Sequence, residues 1–253
     1  MNLPASVTFI GHATLLIEMD GVRILTDPVL RRHVGGFLRR QVPVPLAKVR
    51  DVDLVLISHL HFDHLDLPSL RLLSATTQLL VPKGSAAFLY NQGFAHVKEI
   101  SVGEQMTMGA LQIEATPAQH DGARQPFGPV VESLGFLVRG QQNIYFAGDT
   151  DLFPEMSRLE SNLDLALLPV WGWGPTLGVG HMDPHRAAQA LTLLKPRRAM
   201  PIHWGTLYPL GMSYLRPHFL HTPPRLFAQY AQALAPDVQV HIVEPGQALT
   251  LLA

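Results

Sequence analysis

Apolar residues fall first into short blocks broken by turn signals. Val7–Ile10 and Leu15–Met19 read as strands, and Asp20-Gly21 before Val22–Leu25 is a two-residue hairpin signal. Asp27-Pro28 ends the third strand, because proline removes a ladder donor. Residues 28–50, with RRHVGGFLRR at their centre, carry no sustained period and read as a long loop. The apolar run 53–58 predicts a strand that leads directly into HLHFDHLD at 59–66. Leu67–Leu73 follows as a short helix with Pro68 near its start. Strand–helix alternation recurs at 78–82 and 84–93, and again at 164–170 and 183–195. Between them, strands are expected around 111–118, 134–139 and 143–148. In 183–195, Ala187, Leu191 and Leu194 share one helical face, with Asp183 as N-cap. Arg198–Ile202 is a further strand, 224–235 a further helix, and 238–244 a closing strand. Early hairpins and later crossovers imply an α/β chain in which helices cover sheets. No linker or repeat divides residues 1–253, so one domain is expected.

Composition narrows the function. Hydrophobic residues make up 47% and charged residues 15%, enough for a substantial core. The formal net charge of -1 gives no bulk attraction to nucleic acid, and no nucleic-acid partner is expected. There is no transmembrane run and no signal peptide pattern, so the cytoplasm is the expected location. The chain has no cysteine, which excludes disulfides, thiolate-bound zinc and a thiol nucleophile. No G-x-S-x-G elbow or dinucleotide fingerprint is present. Thirteen histidines are the unusual count, and histidine is the commonest metal ligand.

Four of the chemically useful residues lie together as His59-Leu60-His61-Phe62-Asp63-His64. His59 and His61 stand two apart at a strand end, so their rings can face one side. Asp63 and His64, on a turn, can face a second point a few ångströms away. That spacing suits two cations about 3.5–4 Å apart, as in two-metal hydrolases. Six residues cannot fill two coordination shells, so further ligands must come from elsewhere. His120, Asp149 and His203 each stand where an apolar strand stops. The donors are nitrogen and oxygen, which suit zinc, manganese or iron.

Asp27, His59–His64, His120, Asp149 and His203, in that order and strand context, resemble the metallo-β-lactamase superfamily. The segments GHATLLIEMDGVRILTDPV (11–29), SHLHFDHLD (58–66), PAQH (117–120), FAGDTD (146–151), HMDP (181–184) and PIHWGT (201–206) are similar to one branch of it. That branch holds the N-acylphosphatidylethanolamine-hydrolysing phospholipase D and the L-ascorbate-6-phosphate lactonase. The resemblance implies a four-layer αββα sandwich carrying two divalent metal ions, with zinc the expected metal. His59, His61 and His120 would bind one ion, Asp63, His64 and His203 the other, and Asp149 would bridge them. A hydroxide shared between the ions would be the nucleophile, oriented by Asp63. Asp27 would hold a ligand histidine from behind. His181 would stabilise developing charge or protonate the leaving group. The expected activity is a phosphodiesterase, phospholipase D-like, on a small-molecule or lipid-like ester. The alternative is a lactonase or other carboxylic ester or amide hydrolase; a nuclease or a non-catalytic metal-binding protein ranks below both.

Several residues keep two readings at this point. His12 stands either near the site or in a turn. Arg31, Arg32, Arg39 and Arg40 form either an anion clamp or a solvated flap. Trp171, Trp173, Trp204 and Tyr208 either line a pocket or pack. His33, His96, His185, His218, His221 and His241 are expected on the surface or in packing.

Overall fold

The computed structural model describes residues 3–124, 128–172, 174 and 177–252. The chain opens with β1 (Ala5–Gly11), β2 (Thr14–Met19) and β3 (Val22–Thr26), joined as antiparallel hairpins. Asp20 and Gly21 between β2 and β3 both take positive φ, 52° and 78°, as a tight primed turn requires. Residues 28–50 are not a featureless loop. They hold β4 (His33–Val34) and β5 (Leu38–Arg40), an antiparallel pair, and the helix Leu46–Val49. Val29, Val34 and Leu38 bury a small core of their own with Leu207, which is why the segment folds.

β6 (Leu54–Leu56), β7 (Gln78–Pro82) and β8 (Val97–Ile100) then add to β3 in parallel. β9 (Gln105–Met108), β10 (Leu111–Asp121), β11 (Glu132–Arg139) and β12 (Asn143–Phe146) form an antiparallel run. β13 (Leu165–Pro169), β14 (Arg198–Ile202) and β16 (Gln239–Val240) extend that run in parallel. The expected closing strand 238–244 is therefore only two residues long. The chain closes instead with β17 (Ala248–Leu251), antiparallel to β1. Between them, β15 (Leu207–Pro209) pairs with β5 and completes a small three-stranded sheet.

Two seven-stranded sheets result, β17-β1-β2-β3-β6-β7-β8 and β16-β14-β13-β12-β11-β10-β9. Strand alternation divides their side chains between two cores. Leu15, Ile17, Leu54, Leu56 and Leu80 join the core that also contains the second sheet. Leu16, Val55, Ile57, Leu79 and Val81 point the other way, into a core with Leu70 and Leu89 of the short outer helices. The outer face of the second sheet is covered by the helices Pro184–Leu194 and Thr222–Leu234, through Ala187, Leu191 and Phe227. The layers are thus helix, sheet, sheet, helix, as the family resemblance implies. Asp183 caps its helix by accepting from Arg186 N at 2.8 Å. Among the described residues, no helix is long and apolar enough to cross a membrane.

A backbone contact joins the two sheets at the edge where the parallel strands end. Leu134 N, on β11, donates across to Ser58 O at 2.9 Å. Gly148, after β12, sits against the same serine at φ 61°. A Cβ there would stand 2.7 Å from Ser58 Cβ and 2.8 Å from Leu134 O. Gly148→Ala should therefore combine a left-handed backbone with a clash against main chain, at about 2–4 kcal/mol of stability. Urea unfolding of the two proteins tests this; a loss below about 0.5 kcal/mol would contradict the packing described.

Candidate metal centre

The carboxyl ends of β3, β6, β12, β13 and β14 meet at this edge. They deliver Asp27, the 59–64 segment, Asp149, Trp171 and His203, while His120 lies inside β10, just before its end. β10 is irregular there: its register with β11 shifts between Pro117 and Asp121. Three of these site residues, His12 (φ 60°), Asp27 (φ 35°) and His203 (φ 63°), take left-handed backbone without being glycine. Strain of that kind persists only where surrounding bonds over-determine it. Asp27 shows how: Ser58 N and Ser58 Oγ donate to its two oxygens at 2.7 and 2.6 Å.

The imidazole nitrogens face one another in two groups. In the first, His61 Nδ1 lies 3.0 Å from His59 Nε2 and 3.2 Å from His120 Nε2. In the second, His64 Nε2 and His203 Nε2 are 3.1 Å apart, and Asp63 Oδ2 lies 3.8 Å from each. Asp149 stands between the groups. Its Oδ2 is 3.2 Å from His64 Nε2 and 3.4 Å from His181 Nε2, and its Oδ1 is 3.2 Å from His203 Nε2. His120, Asp149 and His181 form a further close group. All the residues expected at the two metals are brought together here.

The outward nitrogens decide what the inward ones can do. His203 Nδ1 donates to Trp171 O at 2.7 Å, and His120 Nδ1 to Gly180 O at 2.9 Å. A carbonyl has no proton to give, so these bonds leave each Nε2 with its lone pair facing inward when the ring is neutral. His64 Nδ1 is held 2.7 Å from Asp27 Oδ2, and His59 Nδ1 2.9 Å from Ser58 Oγ. Burial holds His59 and His61 below the usual histidine range, and His120 down to about 4. Three neutral rings thus turn one nitrogen each toward one point, and the outward bonds of His59 and His120 leave theirs as acceptors. Ligands about 2.0–2.1 Å from a tetrahedral zinc stand about 3.3–3.4 Å apart. The observed spacings of 3.0 and 3.2 Å fit a cation at that point, slightly contracted. Asp149 Oδ1 is buried without a hydrogen bond, a second acceptor suited to a cation.

His12 and Arg124 complete the surroundings. His12 is buried, and its Nε2 lies 3.0 Å from Asp63 Oδ2. Burial pushes its pKa down to about 3, so the neutral ring donates to Asp63. Its backbone carbonyl accepts from His203 N at 2.8 Å. Of its two earlier readings, the structure places it beside the cluster. Arg124 carried no signal in the sequence. Its Nη1 donates to Leu60 O and Leu65 O, both at 2.8 Å, and so grips both ends of the 61–64 turn. Its guanidinium lies 4.3 Å from the Phe62 ring centroid. About sixty residues separate this donor from its acceptors, and no sequence pattern marks such a contact.

The other candidates disperse. Trp204 is buried against Phe9 and donates to Pro201 O, so it is core. Tyr208 is buried with its hydroxyl on Arg216 O. Trp171 stacks on Phe219 at 5.3 Å and serves the cluster through its carbonyl. Trp173 lies outside the described residues. His33, His96, His185, His218 and His221 are exposed, and His241 is half-buried. Arg31 is paired with Asp66, and Arg40 is buried among carbonyls, so neither is a free clamp.

A face-to-face pair of mixed sheets with such a histidine–aspartate cluster at their strand ends defines a class, the metal-dependent hydrolases of the β-lactamase fold. The chain belongs to the β-lactamase superfamily: the family profile of the β-lactamase superfamily domain matches residues 22–204. A metal-dependent hydrolase of Methanopyrus kandleri is 32% identical over 95% of this chain and 97% of its own length. N-acyl-phosphatidylethanolamine-hydrolyzing phospholipase D 1 of Caenorhabditis elegans is 30% identical over 83% of this chain and 67% of its own. Among solved structures, a metallo hydrolase from the hyperthermophilic archaeon Ignicoccus hospitalis superposes with a TM-score of 0.75. It is 25% identical and covers 99% of this chain and 100% of its own. The protein is a metal-dependent hydrolase of this superfamily.

Two predictions follow from the cluster's electrostatics. Burial opposes a charge on His64, but Asp149, Asp63 and Asp27 outweigh it and hold its pKa well above the usual histidine range. Without a cation the ring therefore keeps a proton at neutral pH, and a cation at Nε2 must displace it. Zinc titration at pH 7 in two buffers of different ionisation enthalpy should show release of about one proton or more, and affinity should fall as pH falls. Uptake with no proton release would contradict this. Asp27→Asn should lower metal affinity about 10–100-fold, since it weakens the acceptor that orients His64. Competition with a chromophoric chelator measures it; unchanged affinity would remove Asp27 from that role.

Proposed function

We propose that the chain is a dinuclear-metal phosphodiesterase of the phospholipase D type. In this reading His59, His61 and His120 hold one divalent cation, Asp63, His64 and His203 hold the other, and Asp149 serves both. The observation that carries it is the meeting of two acceptor groups at Asp149, with His181 on its accessible side. Zinc suits the nitrogen and carboxylate donors, and manganese or iron accept the same set. When bound, two such cations activate water at neutral pH and neutralise charge on a phosphoryl oxygen.

The chain's own groups then divide the work. His12 fixes one oxygen of Asp63, leaving the other to orient the attacking water. Asp149 supports His181: burial opposes the charged ring, but the carboxylate outweighs it and raises its pKa. The side chain of His181 keeps 22% of its surface exposed, so a substrate oxygen can reach Nε2. That nitrogen can give its proton to the leaving alkoxide, a role worth about 10²–10⁴ in rate. The nematode relative supports a phosphodiester over a carboxylic ester, because its name is that of a phospholipase D and it matches most of this chain.

The test is hydrolysis of bis(p-nitrophenyl) phosphate beside a panel of simple lactones by metal-loaded protein. Diester turnover is expected, abolished by chelator and lowered at least about 100-fold in Asp149→Asn; His181→Ala should lose about 100-fold on a dialkyl phosphodiester and far less on the p-nitrophenyl diester, whose leaving phenolate needs no proton. Turnover of lactones alone would move the assignment to carboxylic ester chemistry on the same residues. No turnover of either, with two metals bound, would leave the proposal without support.

A further inference from the structure

The arginine-rich segment between β3 and β6 is the largest feature that the hydrolytic reading leaves unused. Residues 28–50 contain Arg31, Arg32, Arg39, Arg40, Lys48 and Arg50 and no aspartate or glutamate. Arg31, Arg32, Arg39 and Arg40 line one cleft of about 430 Å³, between the β4–β5 hairpin and residues 41–46, a volume in the range of small-ligand sites. Leu30, Val44 and Leu46 supply an apolar wall to the same cleft.

The four guanidiniums are not equivalent. Arg31 is spent, with its two bonds to Asp66 at 2.7 and 2.6 Å. Arg40 is buried, with 5% of its surface exposed. It donates to Val42 O at 3.0 Å, Val29 O at 2.8 Å and Ile10 O. Those partners are neutral carbonyls, so its charge is hydrogen-bonded but not compensated. A buried charge without a counter-charge is costly, and an anion nearby offsets that cost. Arg32 is exposed and Arg39 half-buried, and among the described residues neither has a carboxylate partner. The hairpin fixes their backbones: Arg39 pairs with His33 across β4 and with Tyr208 across β15, and Arg40 N bonds Arg32 O at 2.8 Å. Among the described residues, Asp66 is therefore the one carboxylate paired with any of these four arginines.

We propose that this cleft is a second ligand site, which binds the anionic head of an amphiphile between Arg32 and Arg39 with its aliphatic part along Leu30, Val44 and Leu46. A phosphate, sulfate or carboxylate head accepts from two guanidiniums at once. The site shares no residue with the metal cluster and does not rest on the phosphodiesterase reading. It does adjoin the cluster's frame. Arg40 holds Ile10 O, two residues before His12, and a Cβ on Gly11 would stand 2.9 Å from Arg40 Nη2.

Octyl sulfate, inorganic sulfate and neutral octyl glucoside, each titrated calorimetrically into metal-loaded protein, test the assignment. Octyl sulfate should bind at least tenfold more tightly than the other two. The double variant Arg32→Gln/Arg39→Gln should lose at least tenfold in that affinity, and so should wild type in 0.5 M sodium chloride, by roughly the same factor. Leu46→Ser should weaken octyl sulfate about threefold or more and leave inorganic sulfate unchanged. Asp149→Asn should bind octyl sulfate as wild type does. Loss of binding in Asp149→Asn would place the anion at the metal cluster and overturn the proposal. So would equal binding of octyl glucoside, or full affinity in the double arginine variant. Inorganic sulfate binding as tightly as octyl sulfate would overturn the amphiphile assignment.

Discussion

Imidazoles crowded nitrogen to nitrogen in a buried site need a rigid frame, and this protein spends its most constrained backbone on supplying it. The rings of His59, His61 and His120 meet at 3.0–3.2 Å with burial keeping them neutral. Four rings of the cluster are held from behind: His59 by Ser58, His64 by Asp27, His203 by Trp171 O and His120 by Gly180 O. The left-handed φ values at His12, Asp27 and His203 belong to the same design. They turn the chain sharply at strand ends, and the sandwich is rigid enough to keep them there.

Ser58 is where fold and site become one problem. Its backbone carbonyl ties the first sheet to the second, through Leu134 N. Its amide and hydroxyl fix Asp27, and the hydroxyl also meets His59. Gly148, the residue before Asp149, leaves the space that this serine occupies. The join between the sheets at this edge and the positions of Asp27 and His59 therefore depend on the same few atoms.

Much of this was legible in the sequence, and the reasons differ by residue. His59–His64 is contiguous, so its spacing could be read directly. His120, Asp149 and His203 could be found because each ends an apolar block. Strands β4 and β5 could not, since two and three residues carry no period, and their core residue Leu207 is some 170 positions away. β17 escaped for a related reason: it is an edge strand with exposed Ala248 and Thr250, and only β1 makes it regular. Arg124 is the sharpest case. Its two acceptors are backbone carbonyls, which every residue has, so nothing in residue type announces them.

The carbonyls of Trp171 and Gly180 stand at the two ends of one glycine-rich stretch, after β13 and before the helix Pro184–Leu194. One serves His203 in the second acceptor group, the other His120 in the first. A carbonyl that accepts from an imidazole makes its far nitrogen a stronger base. Lineages that remodel this stretch to admit a different molecule would thereby retune both acceptor groups together. A change of substrate made through this stretch and a change of preferred metal would then be inherited as one trait rather than two.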